Sequence, residues 1–350
     1  MRRMTAYLRR LACLLALLLP AASCVHEFPQ VDYGPVPFVL DLDFDTALPL
    51  FQEILYTRSG EETRSTAPHD VRYVVKVFNA GETRAATRAE RGSYIFTAPV
   101  TDRLDRSVTI DLEEGDWDIY VWTDYVDPDS GNDKYYDTAD FGAIIYREHG
   151  QYEGGNEYRE AFRGSVSVSV IHPDRFLESE AQPSYHATVD MVRPMGRFEF
   201  ISNDVEKFME RLEMMNPTRS GAPLTRADLD GFHVVFRYNA FMPCQFNMFT
   251  DKPSDSWTGM SFETRMDLSD EGILMGFDYV LVNGAETVMN ISLEVYDGDG
   301  VMISSCRPVE VPIVRSRLTV VKGEFLTAFG AGGVAINPGF DGPDFNMEIK

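Results

Sequence analysis

From residue 39 onward the chain is built of short runs in which hydrophobic and polar residues alternate. Residues 107–112 put Val108, Ile110 and Leu112 on one side. In residues 116–123 Trp117, Ile119 and Val121 share one face, while Tyr120 and Trp122 share the other with Asp118 and Asp124. Residues 165–170 alternate Ser with Val throughout, 39–44 alternate partly, and 71–78 (VRYVVKVF) are rich in β-branched and aromatic residues. A period of two predicts half-buried strands, and the Gly, Pro, Asn and Asp clusters between the runs predict turns.

A second series begins near Val192. Strands are expected at 197–201, 232–238, 244–249, 260–266, 276–282, 287–296, 318–321 and 325–329. Asp297-Gly298-Asp299-Gly300 is a hairpin turn signal. One stretch changes period: residues 205–215 predict a short helix, capped by Asn203 or Asp204 and ended by Pro217. Residues 57–69, 125–140 and 215–230 read as loops, the first of them exposed and carrying Arg58 and Arg64. Short strands in series with turn signals predict sandwiches and argue against a parallel sheet. The expected fold class is all-β, with two tandem β-sandwich domains over 38–190 and 191–350 and one short helix in the second.

The first residues follow a different logic. Arg2, Arg3, Arg9 and Arg10 precede an uncharged apolar run from Leu11 to Leu19, and Ala21-Ala22-Ser23 leads directly into Cys24. That order is a secretory signal over residues 1–23, too short to form a membrane span. Small residues followed at once by cysteine resemble a bacterial lipobox, which implies cleavage before Cys24 and acylation of its new N-terminus. The alternative is an ordinary signal with Cys24 as a leftover thiol. Residues 24–37 then form a lipidated, Pro-bearing tether. Val25, where an inner-membrane lipoprotein of this kind would carry Asp, resembles the outer-membrane signal.

Charge narrows the set of partners. The 350 residues hold 32 basic and 55 acidic side chains. Removing the signal's four arginines leaves 28 basic residues against 55 acidic, a net charge of −27. Such a surface repels phosphate backbones and anionic lipid, so nucleic acid is disfavoured and membrane contact falls to the acyl chains. Besides Cys13 and Cys24 there are only Cys244 and Cys306. These are either a disulfide of an exported protein or two buried thiols behaving as small hydrophobes.

Catalytic patterns do not emerge. No HExxH or GxSxG occurs, the six histidines are scattered, and Gly-rich 329–333 lacks the Lys of a phosphate loop. Residues 127–138 place Gly too early for a calcium loop and end on Thr138 where a Glu is required, so they read as a solvated acidic loop. Neither a metal nor a cofactor is expected, and the chain reads as a non-enzyme. The aromatics are the better lead. Trp122 and Trp257 are candidate glycan contacts, because rings stack on sugars while neighbouring acids accept hydroxyl hydrogen bonds. The competing reading has those rings covered by a loop or domain.

Four segments together resemble the fimbrillin-type lipoproteins of the Bacteroidota: 115–122 (GDWDIYVW), 191–200 (MVRPMGRFEF), 311–327 (VPIVRSRLTVVKGEFLT) and 333–342 (GVAINPGFDG). The resemblance points to an uncharacterised lipoprotein family within that group. It implies transthyretin-like or immunoglobulin-like sandwiches and a role like that of the lipid-anchored subunit at the base of minor fimbriae. It also implies fimbrial subunits as partners, joined by strand addition at an open sheet edge, for which residues 345–349 are a candidate. Stalk subunits of the family are cut at a basic residue in the first domain. Arg58 or Arg64 would supply such a residue, although anchors keep their lipid instead. Surface export in this phylum uses an acidic cluster near the lipidated cysteine, and only Glu27 and Asp32 stand there. The expectation is therefore an outer-membrane lipoprotein, facing the periplasm or the cell surface, that acts as a structural or anchoring subunit. The alternative is a surface glycan-binding lipoprotein.

Overall fold

The computed structural model describes residues 33–45, 69–81, 89–100, 105–147, 152–175, 184–215, 225–327 and 346–349. Cys24, the tether up to residue 32, Arg58, Arg64 and the Gly-rich 329–333 stretch lie outside the described residues. The first half contributes β1 (Val36–Phe44), β2 (Asp70–Asn79), β3 (Glu90–Pro99), β4 (Arg106–Leu112) and β5 (Gly115–Val126). It continues with β6 (Tyr136–Asp137), β7 (Ile144–Tyr146), β8 (Phe162–Val170) and β9 (His186–Met191). The second half opens with β10 (Met195–Ser202), the helix α1 (Val205–Met215) and a single turn, α2 (Arg226–Leu229). Then come β11 (His233–Tyr238), β12 (Met242–Asn247), β13 (Lys252–Trp257), β14 (Ser261–Arg265) and β15 (Asp267–Ser269). The remaining strands are β16 (Gly272–Leu281), β17 (Glu286–Tyr296), β18 (Met302–Val314), β19 (Leu318–Gly323) and β20 (Asn346–Ile349).

The fold is all-β, two tandem sandwiches with one helix longer than a turn among the described residues. In the first, sheet β4-β1-β9 packs on sheet β3-β2-β5-β8. Alternation creates its core: Phe38, Leu40 and Leu42 of β1, Val108, Ile110 and Leu112 of β4, and Val71, Tyr73, Val75 and Val77 of β2 meet in one buried cluster. In the second, sheet β15-β16-β10-β19-β20 packs on sheet β14-β11-β17-β18. Phe198 and Phe200 of β10 cross to Phe236 of β11, with ring centroids 6.3 and 5.5 Å apart. The helix buries Phe208 against Phe232 at 5.3 Å. The two halves share their wiring. The opening strand of each, β1 or β10, pairs in parallel with a late strand, β9 or β19, and antiparallel with a middle one, β4 or β16. No sequence repeat accompanies this topological one.

A fifth sheet joins the halves. Strands β6 and β7 from the first half continue into β12 and β13 from the second, through Gln245↔Ile145 and Phe246↔Ile144. This sheet covers the outer face of β2 and β5, which explains why β2 is buried along nearly its whole length. Phe249, just past β12, stands edge-on to both Phe78 and Tyr120, at 5.2 and 5.1 Å.

Charged groups are enclosed at this junction, each with a partner. Arg72 grips Asp124 with two hydrogen bonds, 2.8 Å from Nε and 2.6 Å from Nη2, and reaches Asp133 at 2.7 Å. Arg193 donates to Glu160 at 2.6 Å, and Arg197 to Glu199 at 2.7 Å. Arg159 lies between the rings of Tyr146 and Tyr152 at 4.1 and 4.2 Å. Tyr152 and Tyr238 both donate to Asp278, at 2.7 and 2.6 Å, and burial pushes that carboxyl above its ordinary range. Buried charges stay in a fold only when paired in this way.

Several expectations need correction. Asp204 stands at the start of α1, where its carbonyl accepts from Phe208 N at 3.0 Å, but its side chain bonds outside the helix. Its carboxylate instead accepts from Thr327 N at 2.7 Å, from Thr327 Oγ1 at 2.6 Å and from Ser202, pinning the chain after β19. Residues 324–327 are accordingly irregular where a strand was expected. The 125–140 loop contains the end of β5 and all of β6.

Candidate functional site

Strand addition requires a sheet edge whose backbone groups can take another strand, so the edges define the candidate surface. Most are blunted. Strand β18 carries Pro308 and Pro312 and shifts register twice against β17. Strand β13 carries Pro253, and β14 exposes Glu263 and Arg265. Both edges of the five-stranded sheet are short, three residues in β15 and four in β20.

The β20 edge differs from the rest in its neighbour. Strand β19 is largely buried and pairs in parallel with β10 on one side. On the other it holds β20 through only four register positions, from Thr319↔Ile349 to Lys322↔Asn346. Neither strand contains proline. The expected terminal strand is thus present, and it lies at a sheet edge.

The two candidate glycan contacts have different fates. Trp122 has no exposed surface, and its role as a sugar platform is withdrawn. Its ring is enclosed by Tyr136 at 5.2 Å and Phe246 at 6.3 Å, and its Nε1 donates to Asp124 at 3.3 Å. The bridging sheet supplies the cover, by pairing strands about 100 residues apart in sequence, which the local alternation could not reveal. Trp257 ends β13 half-buried, 6.3 Å from Tyr146.

Cys244 and Cys306 are both buried and neither is in a disulfide, which corrects the disulfide alternative. They sit in different sheets, Cys244 on β12 and Cys306 on β18. Burial pushes the Cys306 thiol up to about 11. Two of the three acids of the 127–133 loop are engaged by protein groups: Asp127 pairs with Lys134, and Asp133 with Arg72 and Thr138. Asp297 closes its hairpin by accepting from Asp299 N and Val301 N.

The profile of a family of unknown function, DUF6562, matches residues 37–350. The chain belongs to that family. No curated protein matches it significantly. Among solved structures, this DUF6562 chain is similar to the fimbrial anchor protein Mfa2 from Porphyromonas gingivalis, at 10% identity and TM-score 0.38, covering 82% of this chain and 90% of that one. It is similar to a proposed cell adhesion protein from Bacteroides eggerthii, at 11% identity and TM-score 0.42, covering 91% and 95%. It is also similar to a proposed polysaccharide-binding protein from Bacteroides thetaiotaomicron, at 10% identity and TM-score 0.40, covering 77% and 80%.

Proposed function

We propose that this DUF6562 protein is a non-enzymatic outer-membrane lipoprotein, held by acyl chains on Cys24, that serves as a structural or anchoring subunit of a fimbria-like assembly. The observation that carries the reading is the β19 edge, a buried proline-free strand closed by only four residues of β20. A partner strand replacing β20 would pair with this edge through main-chain ladder hydrogen bonds. The −27 net charge of the chain after Cys24 supports attachment through lipid over electrostatic docking. The paired charges between the sandwiches support a load-transmitting body whose halves stay in register.

Two measurements test this. Cys24→Ala should move the protein from the outer-membrane fraction to the soluble exported fraction. A photo-crosslinking residue at Lys322, in cells of the source bacterium, should yield a ladder of adducts with a polymerising subunit. A Cys24→Ala protein that stays in the membrane would overturn the anchor, and absence of any adduct at Lys322 would overturn capture at β19.

A further inference from the structure

A groove of about 500 Å³ opens at one end of the first sandwich, where β3 of one sheet faces the β4–β5 turn of the other. Trp117 and Tyr94 line it, together with Asn79, Arg91, Asp111 and Glu113. We propose that this groove binds a neutral sugar ring, a function beyond anchoring and independent of it.

The two rings are held by the same device. Each follows a glycine by two places, in Gly92-Ser93-Tyr94 and Gly115-Asp116-Trp117, and so lies on the same face of its strand as that glycine. A Cβ on Gly92 would meet the Tyr94 ring at 3.1 Å, and one on Gly115 the Trp117 ring at 3.4 Å. Each ring therefore lies along its strand, over space that the glycine leaves empty. Gly115 also has φ +152°, which side-chain-bearing residues rarely adopt.

Their polar ends are fixed by the chain. Trp117 Nε1 donates to the Glu113 carbonyl at 2.8 Å, and the Tyr94 hydroxyl to the Asp111 carbonyl at 2.6 Å, which ties β3 to β4 across the groove. Both rings remain only partly buried. Two partly open aromatic faces held in fixed positions are the apolar element of a small-ligand site, and the volume falls within the ~300–1,000 Å³ such sites occupy.

The polar lining selects among ligands. Asp111 and Glu113 are exposed, and their carboxylates make no hydrogen bond or ion pair among the described residues. Arg91 is exposed too, with Nε donating to Asn79 at 3.3 Å and further donors remaining. Carboxylates accept from hydroxyl groups, a guanidinium donates to hydroxyl and ring oxygens, and the electron-rich ring faces attract the positive C–H edges of a pyranose. Two acids against one base leave the lining at −1, which repels uronic acids and phosphates and favours an uncharged sugar.

Saturation-transfer NMR on the full chain tests this, with methyl glucopyranoside, galactopyranoside and mannopyranoside as probes and glucuronate as the acidic comparator. At least one neutral glycoside should show transfer, at least tenfold weaker for glucuronate. Trp117→Ala should abolish it. Because that change also trims the core, the Asp111→Asn/Glu113→Gln double variant provides a second reading on exposed groups and should weaken binding about tenfold with unchanged thermal stability. Transfer to none of the glycosides, equal transfer to glucuronate, or transfer unaffected in both variants would each overturn the site.

Discussion

At the scale of single residues, Trp122 shows how a correct local pattern can carry a wrong role. Its face of β5 was legible: Tyr120, Trp122 and Asp124 do point away from the Trp117 side. The cover over that face was not, because Phe246 and Phe249 arrive from the second half. The sequence around Trp122 contains the stacking ring but nothing about residues that reach it through tertiary pairing. Trp122→Ala should therefore destabilise the protein by about 3–5 kcal/mol, as for other fully enclosed aromatics, read as a lowered urea midpoint. If the midpoint holds and only ligand binding changes, the buried placement is wrong. Cys306 makes a second prediction. The thiolate is the reactive form, and a thiol raised to about 11 and buried presents almost none of it at pH 8. Maleimide at that pH should leave Cys306 unmodified in the folded chain and label it once urea unfolds the protein, as mapped by mass spectrometry.

At the scale of elements, the terminal strand is the place to intervene. Strand β20 pairs with β19 over four register positions, whereas Val321 of β19 belongs to the buried core. Deleting residues 346–350 should leave the circular dichroism spectrum and thermal midpoint nearly unchanged while opening the β19 edge. The consequence to measure is self-association: an uncovered edge templates pairing, so the truncated chain should shift toward dimers in analytical ultracentrifugation. A truncated chain that unfolds would mean β20 belongs to the folding unit, and one that stays monomeric would mean the edge is otherwise protected. Other elements explain what could be read beforehand. Helix α1 was legible to its ends, since an 11-residue amphipathic run bounded by Asn203-Asp204 and Pro217 has few alternatives. The position of its cap was legible too, but the use of the Asp204 carboxylate was not, because it satisfies donors at residues 326–327, more than 100 positions away. Strand β3 was missed. Its sequence ERGSYIFTAP carries charge, glycine and proline at an edge of its sheet, where among the described residues it pairs on one side only and little alternation is enforced.

At the scale of the whole molecule, the halves are joined by more than a linker. A shared sheet, the Phe249 contact and the Arg163–Asp251–Arg315 cluster all cross from one to the other. Asp251 is the pivot, taking one guanidinium from β8 and another from the segment after β18. Removing it would leave Arg163 and Arg315 facing each other without their counter-charge. For a fully enclosed pair the loss is about 3–5 kcal/mol. Asp251 is 40% exposed, so solvent screens part of it and about 2 kcal/mol is the better expectation for Asp251→Ala. The distribution of that loss is the informative part. With the halves coupled as one cooperative unit, amides of β1 and β4 should lose hydrogen-exchange protection together with those of β11 and β17, by the same amount. Independent sandwiches would instead show the loss in one half while the other kept its protection. A single unit is also what a tether-to-edge function demands. In the proposed role, a load passing between a lipid on Cys24 and a strand held at β19 would have to cross this junction, so Asp251→Ala should weaken load transfer as well as stability.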